Sequence, residues 1–273
     1  MHAIYIIVAI SLIFVLLGLK AGRAWRPWPR RVAAAITIAM IGVYLLWCRD
    51  AGWQISLLYS ENTIFWGKWL PYLCGFLVGL TFDETQHRRW FFRGLLIVFY
   101  VVSLTDIGIY FISARPESER SHFRERWLVR QTNKLTCGPA ACASLLNLYE
   151  YEISEAQFIE DCLTTDRGTS LQGLWRGLKM NLAPGHEAVF VQADQIVDVP
   201  TPALIVVGLK EGADVDPRYQ SEWGWIPGTE HVVVVHNISS SGNVVVGDPS
   251  AGIEVWKLKD LDVLWYGKAF HIN

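Results

Sequence analysis

Cys137 is followed by Gly138, Pro139 and Ala140 and preceded six positions earlier by Gln131, and the chain later supplies His231 and, beyond a short hairpin, Asp248. Cleaving a peptide bond with sulfur needs a thiolate at the head of a helix, an imidazole to share its proton, a group to fix the imidazole tautomer and a donor for the developing oxyanion. Cys137, His231, Asp248 and Gln131 can fill those roles in that order. Each also has a plainer use. A helical cysteine commonly packs in a core, Gln131 can be a surface amide, Asp248 before Pro249 can start a turn, and His231 can be a structural histidine. His236, five residues on, is a rival base. The odd spacing puts the two histidines on opposite faces of a regular strand, so only one can face the cysteine.

The elements that must position these groups follow from local patterning. Cys137 opens a helical pattern through Ala140, Ala141, Leu145, Leu146 and Leu148, with Pro139 in the first turn, where its missing N–H costs nothing. The sulfur therefore sits at a helix amino terminus, whose partial positive charge favours thiolate over thiol. Ser154-Glu-Ala-Gln157 reads as a capping-box start for a second helix, and Ser170 as the cap of a third running to Met180. From about residue 186 the pattern is extended, with β-rich runs at Ala188 to Val191, Ala203 to Val207, Val232 to His236, Val244 to Val246 and Glu254 to Trp256. The stretch Ser239 to Asn243 supplies turn residues between two of them. Helices first and an antiparallel sheet afterwards is an α+β order.

Gln131-Thr-Asn-Lys-Leu-Thr-Cys137-Gly-Pro-Ala-Ala, Arg167-Gly168-Thr169-Ser170-Leu171 with Leu174 and Leu178 behind it, Glu230-His231-Val-Val-Val-Val-His236 and Val246-Gly247-Asp248-Pro249 together carry a resemblance. In order and spacing, roughly residues 125 to 273 resemble the C39 family of papain-like cysteine peptidases. The resemblance implies a papain-like α+β domain, His231 rather than His236 as the base, Asp248 as the orienting carboxylate and Gln131 as the oxyanion donor. It also implies a peptide substrate, since the best-known members remove double-glycine leader peptides and are usually fused to an ABC exporter. The residue before the cysteine is commonly Asp in the family and is Thr136 here, a departure that bears on subfamily and substrate. No G-x-x-x-x-G-K-[ST] sequence occurs, because Gly67-Lys68 and Gly267-Lys268 lack the preceding glycine and the following hydroxyl. The chain thus carries no ATP site of its own, and an exporter would be a separate partner. Two other readings keep the same fold: a thiol amidase or acyl transferase, in which an amine replaces water, and a non-catalytic module that presents peptides to a membrane partner.

The remainder of the chain points to a bilayer. Of 273 residues, 52% are hydrophobic and 18% charged, with thirteen Trp, a balance too apolar for an ordinary soluble protein. The net charge of -2 gives no electrostatic case for nucleic acid. Five cysteines cannot all pair within one chain; Cys48, Cys74, Cys142 and Cys162 read as structural, with no zinc-ligand spacing among them, and neither metal nor cofactor is implied. Ile4 to Leu19 is nearly uninterrupted apolar sequence followed by basic residues from Lys20 to Arg31, the reverse of a cleaved signal peptide. Four spans are expected, at 4–19, 32–47, 64–82 and 94–112, within a membrane region 1–114 that a linker at 115–126 joins to the peptidase-like domain 127–273.

Orientation follows from the basic loops. Lys20, Arg23, Arg26, Arg30 and Arg31 lie between the first two spans and Arg88, Arg89 and Arg93 between the last two, whereas Arg49 stands alone in the loop between. Those loops should be cytoplasmic in a bacterial inner membrane, which places the catalytic domain outside the cytoplasm. Arg115, Arg120, Arg124, Arg126 and Arg130 argue the other way but precede a long domain, for which charge counts decide less. Lys68 can snorkel from a span end, and Asp106 reads as a residue pairing within an anchor of packed helices rather than as a proton relay.

Overall fold

A computed structural model describes residues 2–48, 52–82, 90–118 and 124–273, and the chain divides after Ser113 into two units. Arg49, Arg88, Arg89 and Arg120 lie outside the described residues, as does the side chain of Asp106.

The first unit is helical: α1 (His2–Ala24), α2 (Pro27–Val43) with a π-helical continuation Tyr44–Cys48, α3 (Gly52–Leu58), α4 (Thr63–Trp66), α5 (Leu70–Thr81) and α6 (Trp90–Ile112). Among the described residues, the stretches Tyr5–Ala24, Pro27–Leu46 and Phe91–Ile112 are long and apolar enough to cross a bilayer. The segment 64–82 differs from the expected single span, because its helix stops at Trp66 and restarts at Leu70. Pro71 explains the restart: lacking an N–H, it fits the first turn of a helix and not its interior. The break leaves a buried carbonyl, and polar side chains satisfy it. Gly67 O accepts from Tyr44 Oη at 3.0 Å and from Gln54 Nε2 at 3.2 Å, so the buried carbonyl freed by the break is paired.

Helix α5 is enclosed, and it touches α1 backbone to backbone. A Cβ added to Gly18 would lie 2.2 Å from Phe76 O, and one on Gly79 would lie 2.1 Å from Val15 O. Gly75 approaches Ser11 and Val15, and Gly22 approaches Leu80, so residue numbers rise together along α1 and α5 and the two helices are parallel. In the opposite sense, Gly75 meets Tyr100 while Phe65 stacks with Phe111 at 5.6 Å, so α6 is antiparallel to α5. Residue 112 consequently ends at the same end of this unit as the start of α1. The basic α1–α2 turn and Arg93 sit at the other end.

The second unit is α+β. Short strands β1 (Arg124–Glu125) and β2 (Leu128–Val129) precede α7 (Cys137–Asn147), α8 (Glu155–Asp161) and α9 (Leu171–Asn181). Ser154 accepts from Gln157 N at 3.2 Å and Ser170 from Gly173 N at 3.1 Å, so both helices start at side-chain caps. Then follow β3 (Ala188–Gln192), β4 (Ala203–Gly208), α10 (Arg218–Ser221), β5 (Glu230–Ile238), β6 (Asn243–Asp248), β7 (Gly252–Lys257), α11 (Leu258–Leu264) and β8 (Trp265–Ile272).

Strands β3 to β8 form one antiparallel sheet in the order β3-β8-β4-β5-β6-β7. Patterning marked five of its six strands and missed β8, where Gly267 at φ +78° interrupts the alternation. Every residue of β4 is buried, the signature of a strand covered on both faces. Ala203, Ile205, Val207, Val233, Val235 and Trp265 enter a core that Leu261, Leu264 and Tyr219 close on one side. On the other side α7 packs against β5 and β4, and Trp175 of α9 meets Phe270 of β8 at 6.2 Å.

Candidate active site

Cys137 is the first residue of α7, and the rest of the helix, Gly138 to Asn147, is buried. Burial fixes this helix as a rigid post: Ser144 Oγ accepts from Val129 N at 2.8 Å, tying it to β2. Thr136 is the N-cap but makes no side-chain cap bond. Its hydroxyl instead accepts from Asn133 N at 3.2 Å and donates to Asn133 O at 2.8 Å, shaping the preceding turn. The first-turn N–H groups are therefore not taken by an N-cap side chain, and the partial positive charge there stays directed at the sulfur. Cys137 is partly exposed, whereas Cys142 on the same helix is buried, and burial pushes its thiol well above the ordinary range. Position on the helix thus separates a reachable sulfur from an inert one.

His231 is the second residue of β5, and Asp248 is the last of β6. The register Val234↔Gly247 and Val235↔Val246, continued to the strand end, brings His231 opposite the turn that follows Asp248. The side chains meet there, with His231 Nε2 2.9 Å from Asp248 Oδ1. The carboxylate accepts from Nε2–H, which leaves Nδ1 to exchange a proton, and Cys137 is near enough to the ring to help raise its pKa. Burial pushes the His231 pKa down, but Asp248 and Cys137 together outweigh it and push the value up to about 10. Burial raises the Asp248 carboxyl, and His231 and Ser250 more than offset this and hold it below its ordinary value.

Asp248 also starts a turn, so its two sequence readings coexist. Its Oδ1 accepts from Ser250 N and Ser250 Oγ, both at 2.7 Å, and from Ala251 N at 3.3 Å. Gln131 is tied to the same turn, its backbone N–H donating to Pro249 O at 2.9 Å. One Nε2 hydrogen of Gln131 goes to Asn133 O at 3.0 Å, which leaves the second available, while Oε1 is buried without a partner. Gln131 is thereby tied to the turn that follows Asp248, and Asp248 to His231. His236 is exposed and has Trp127 as ring partner, at 5.5 Å.

Three contributors escape patterning. Ser250 orients the carboxylate, Asn133 orients the amide, and Trp225 sets its indole at 62° to the His231 ring with centroids 6.2 Å apart. The turn signal at Asp248-Pro249-Ser250 is what could have pointed to Ser250. Trp225 lies in a loop with no local signal.

Residues 125–212 match the model of the Peptidase C39 family. The matched stretch holds Gln131 and Cys137 and ends before His231 and Asp248. Solved structures similar to this chain include the peptidase domain of Streptococcus ComA, described as a bifunctional ABC transporter involved in quorum sensing, with 23% identity, 54% of this chain and 98% of that one covered, and a TM-score of 0.42. A double glycine motif protease from an AMS/PCAT transporter, solved with its leader peptide, has 17% identity over 55% of this chain and 94% of its own, with a TM-score of 0.42. The C39-like domain of a toxin secretion ATP-binding protein from Vibrio parahaemolyticus has 15% identity over 52% of this chain and 98% of its own, with a TM-score of 0.37. Comparison with curated proteins finds no match.

Proposed function

We propose that this chain is a membrane-anchored cysteine peptidase that cleaves peptide precursors, with Cys137 as nucleophile, His231 as base and acid, Asp248 as orienting carboxylate and Gln131 as oxyanion donor. The observation that carries this reading is the buried carboxylate 2.9 Å from the His231 ring, on an imidazole whose pKa is also raised by the Cys137 thiol at the head of α7. Cys137 Sγ attacks the scissile carbonyl carbon, and the resulting oxyanion is held by the second Nε2 hydrogen of Gln131 and the Cys137 backbone N–H. His231 gives its proton to the leaving amine as the C–N bond breaks, which leaves a thioester on Cys137. The imidazole then takes a proton from water, whose oxygen attacks the thioester, and the acid product and the thiol are released. An imidazole pushed up to about 10 is charged at neutral pH, which suits a thiolate partner. The substrate class we infer is a peptide cut after a double glycine, supported by the Peptidase C39 match.

The same proposal places the catalytic unit on the outer side of the membrane. Residue 112 reaches the end of the helical unit opposite the basic α1–α2 turn and Arg93, and basic turns stay in the cytoplasm. Mass spectrometry of cell-surface peptides should find cleaved products with intact Cys137 and full-length precursors with Cys137→Ala. A phosphatase fused after Asn273 should be active; an inactive fusion beside an active cytoplasmic reporter would refute the orientation.

A further inference from the structure

A cavity of about 760 Å³ adjoins the catalytic pair, and Asp248, Ser250 and Trp225 form one of its walls. Trp225 is also the residue whose indole meets the His231 ring. That placement has a mechanistic meaning. In peptide cleavage the imidazole must hand its proton to the leaving nitrogen, so the chain segment beyond the scissile bond runs past the ring on the side away from the oxyanion donor. The wall that Trp225 shares between ring and cavity makes the cavity the continuation of that path.

The lining chemistry identifies what it takes. Apart from Asp248, which His231 neutralises, the charged lining consists of Glu222, Glu254 and Asp260 against Lys257. Lys257 is drawn to Asn243 Oδ1 at 2.6 Å. The neighbouring Arg218 is held by Asp216 at 2.8 Å and lies over the Trp223 ring. Trp223 and Trp256 complete the lining with Trp225, and Trp223 is 46% exposed. Glu254 accepts from Trp256 Nε1 at 2.7 Å and Asp260 from Tyr219 Oη at 3.0 Å, and each carboxylate keeps further acceptor positions; such carboxylates beside indole rings form a surface for a guanidinium or ammonium group. The lining also includes four consecutive residues of β7, Glu254 to Lys257. Successive strand residues point to opposite faces, so a cavity that meets all four runs along the strand edge. β7 is the outermost strand of the sheet, and such an edge accepts an extended peptide through backbone bonds.

We infer that this cavity is a specificity site for the leaving side of the substrate, binding an extended segment with Lys or Arg in its first residues after the scissile bond. The inference rests on the peptidase reading for its geometry, and its test separates the two. Dye-labelled peptides that share a Gly-Gly acyl side and continue with Lys-Lys, Ala-Ala or Glu-Glu are titrated against full-length Cys137→Ala protein in neutral detergent, with anisotropy as the readout. Lys-Lys should bind about tenfold tighter than Glu-Glu at low salt, the size expected of a few exposed charge and cation–π contacts. That ratio should fall towards one at high salt or with Glu222→Gln and Glu254→Gln combined, and should widen with Lys257→Gln. Equal affinities, or a ratio unmoved by the glutamate substitutions, overturn the cavity assignment. The same peptides are then given to protein with intact Cys137. Equal kcat/KM for all three also overturns the cavity assignment and leaves the peptidase reading standing. A binding preference for Lys-Lys with no cleavage of any peptide does the reverse.

Discussion

The helical unit and the α+β unit differ in how many large apolar side chains they leave facing outward. In the first, large apolar side chains face outward, with Leu16 at 63%, Phe92 at 63% and Leu46 at 79% exposure, while Gly18 and Gly79 occupy the closest interhelical contact. In the second, Trp175, Phe158 and Phe270 are fully enclosed. The contrast follows from the surroundings each unit meets. If the first unit lies in a bilayer, as proposed, lipid tails give its apolar side chains no reason to turn inward, and helices associate by close backbone packing. Water drives the same side chains inside at roughly 25 cal/mol per Å². Polar groups diverge in the same way. Tyr44 and Gln54 mend a broken helix at Gly67, whereas in the second unit the buried Asp248 carboxylate holds the His231 ring at 2.9 Å.

The contrast breaks most sharply at Cys137. Cys137→Ala removes the reacting atom and almost no volume, so turnover should fall by at least about 10⁴-fold while the thermal unfolding of the full chain barely moves. Residual hydrolysis close to the parent rate would show that another residue attacks. Next in size, Gln131→Ala should lower kcat by roughly 10²–10³. Alkylation of Cys137 by a small electrophile near neutral pH should survive that change, fall steeply in His231→Ala and stay level in His236→Ala. Loss of alkylation in His236→Ala alone would reassign the base.

The membrane-side counterpart is Gly79→Leu. Its Cβ would fall 2.1 Å from Val15 O, so neither helix can yield without separating, and overpacking of this kind costs about 3 kcal/mol. Leu16→Ala, at an outward position, should cost far less. Equal destabilisation of the two, read from unfolding in detergent, would remove the inside-out description of that unit.

The second unit should also show a pH dependence of its stability. His231 holds its proton in the fold up to about 10 against an ordinary 6.5. The stability this gives is complete below about 6.5 and is lost as pH rises towards 10. Asp248, held below its ordinary value, contributes in the other sense: its stability is present above the normal carboxylate range and is lost in acid. Unfolding midpoints should therefore decline on the alkaline side, and His231→Ala should flatten that limb. An unchanged alkaline slope in the variant would disconnect the imidazole from the fold's titration.

What the sequence by itself determined was local. Cys137 at a helix head, the caps at Ser154 and Ser170, the β-rich runs, the apolar stretches and the basic turns all follow from periodicity and residue type within one element. The tertiary structure decided what depends on register between distant elements. It inserted β8 between β3 and β4 although Gly267 breaks its pattern, and the β5–β6 pairing carried His231 rather than His236 to Asp248. It split the segment 64–82, because Pro71 forbids a continuous helix and buried partners at Gly67 make the break tolerable. It also brought Trp225, from a loop without periodic signal, against the His231 ring. Local spacing carries one element's face; which faces meet is fixed only when burial and hydrogen bonding are satisfied across the whole unit.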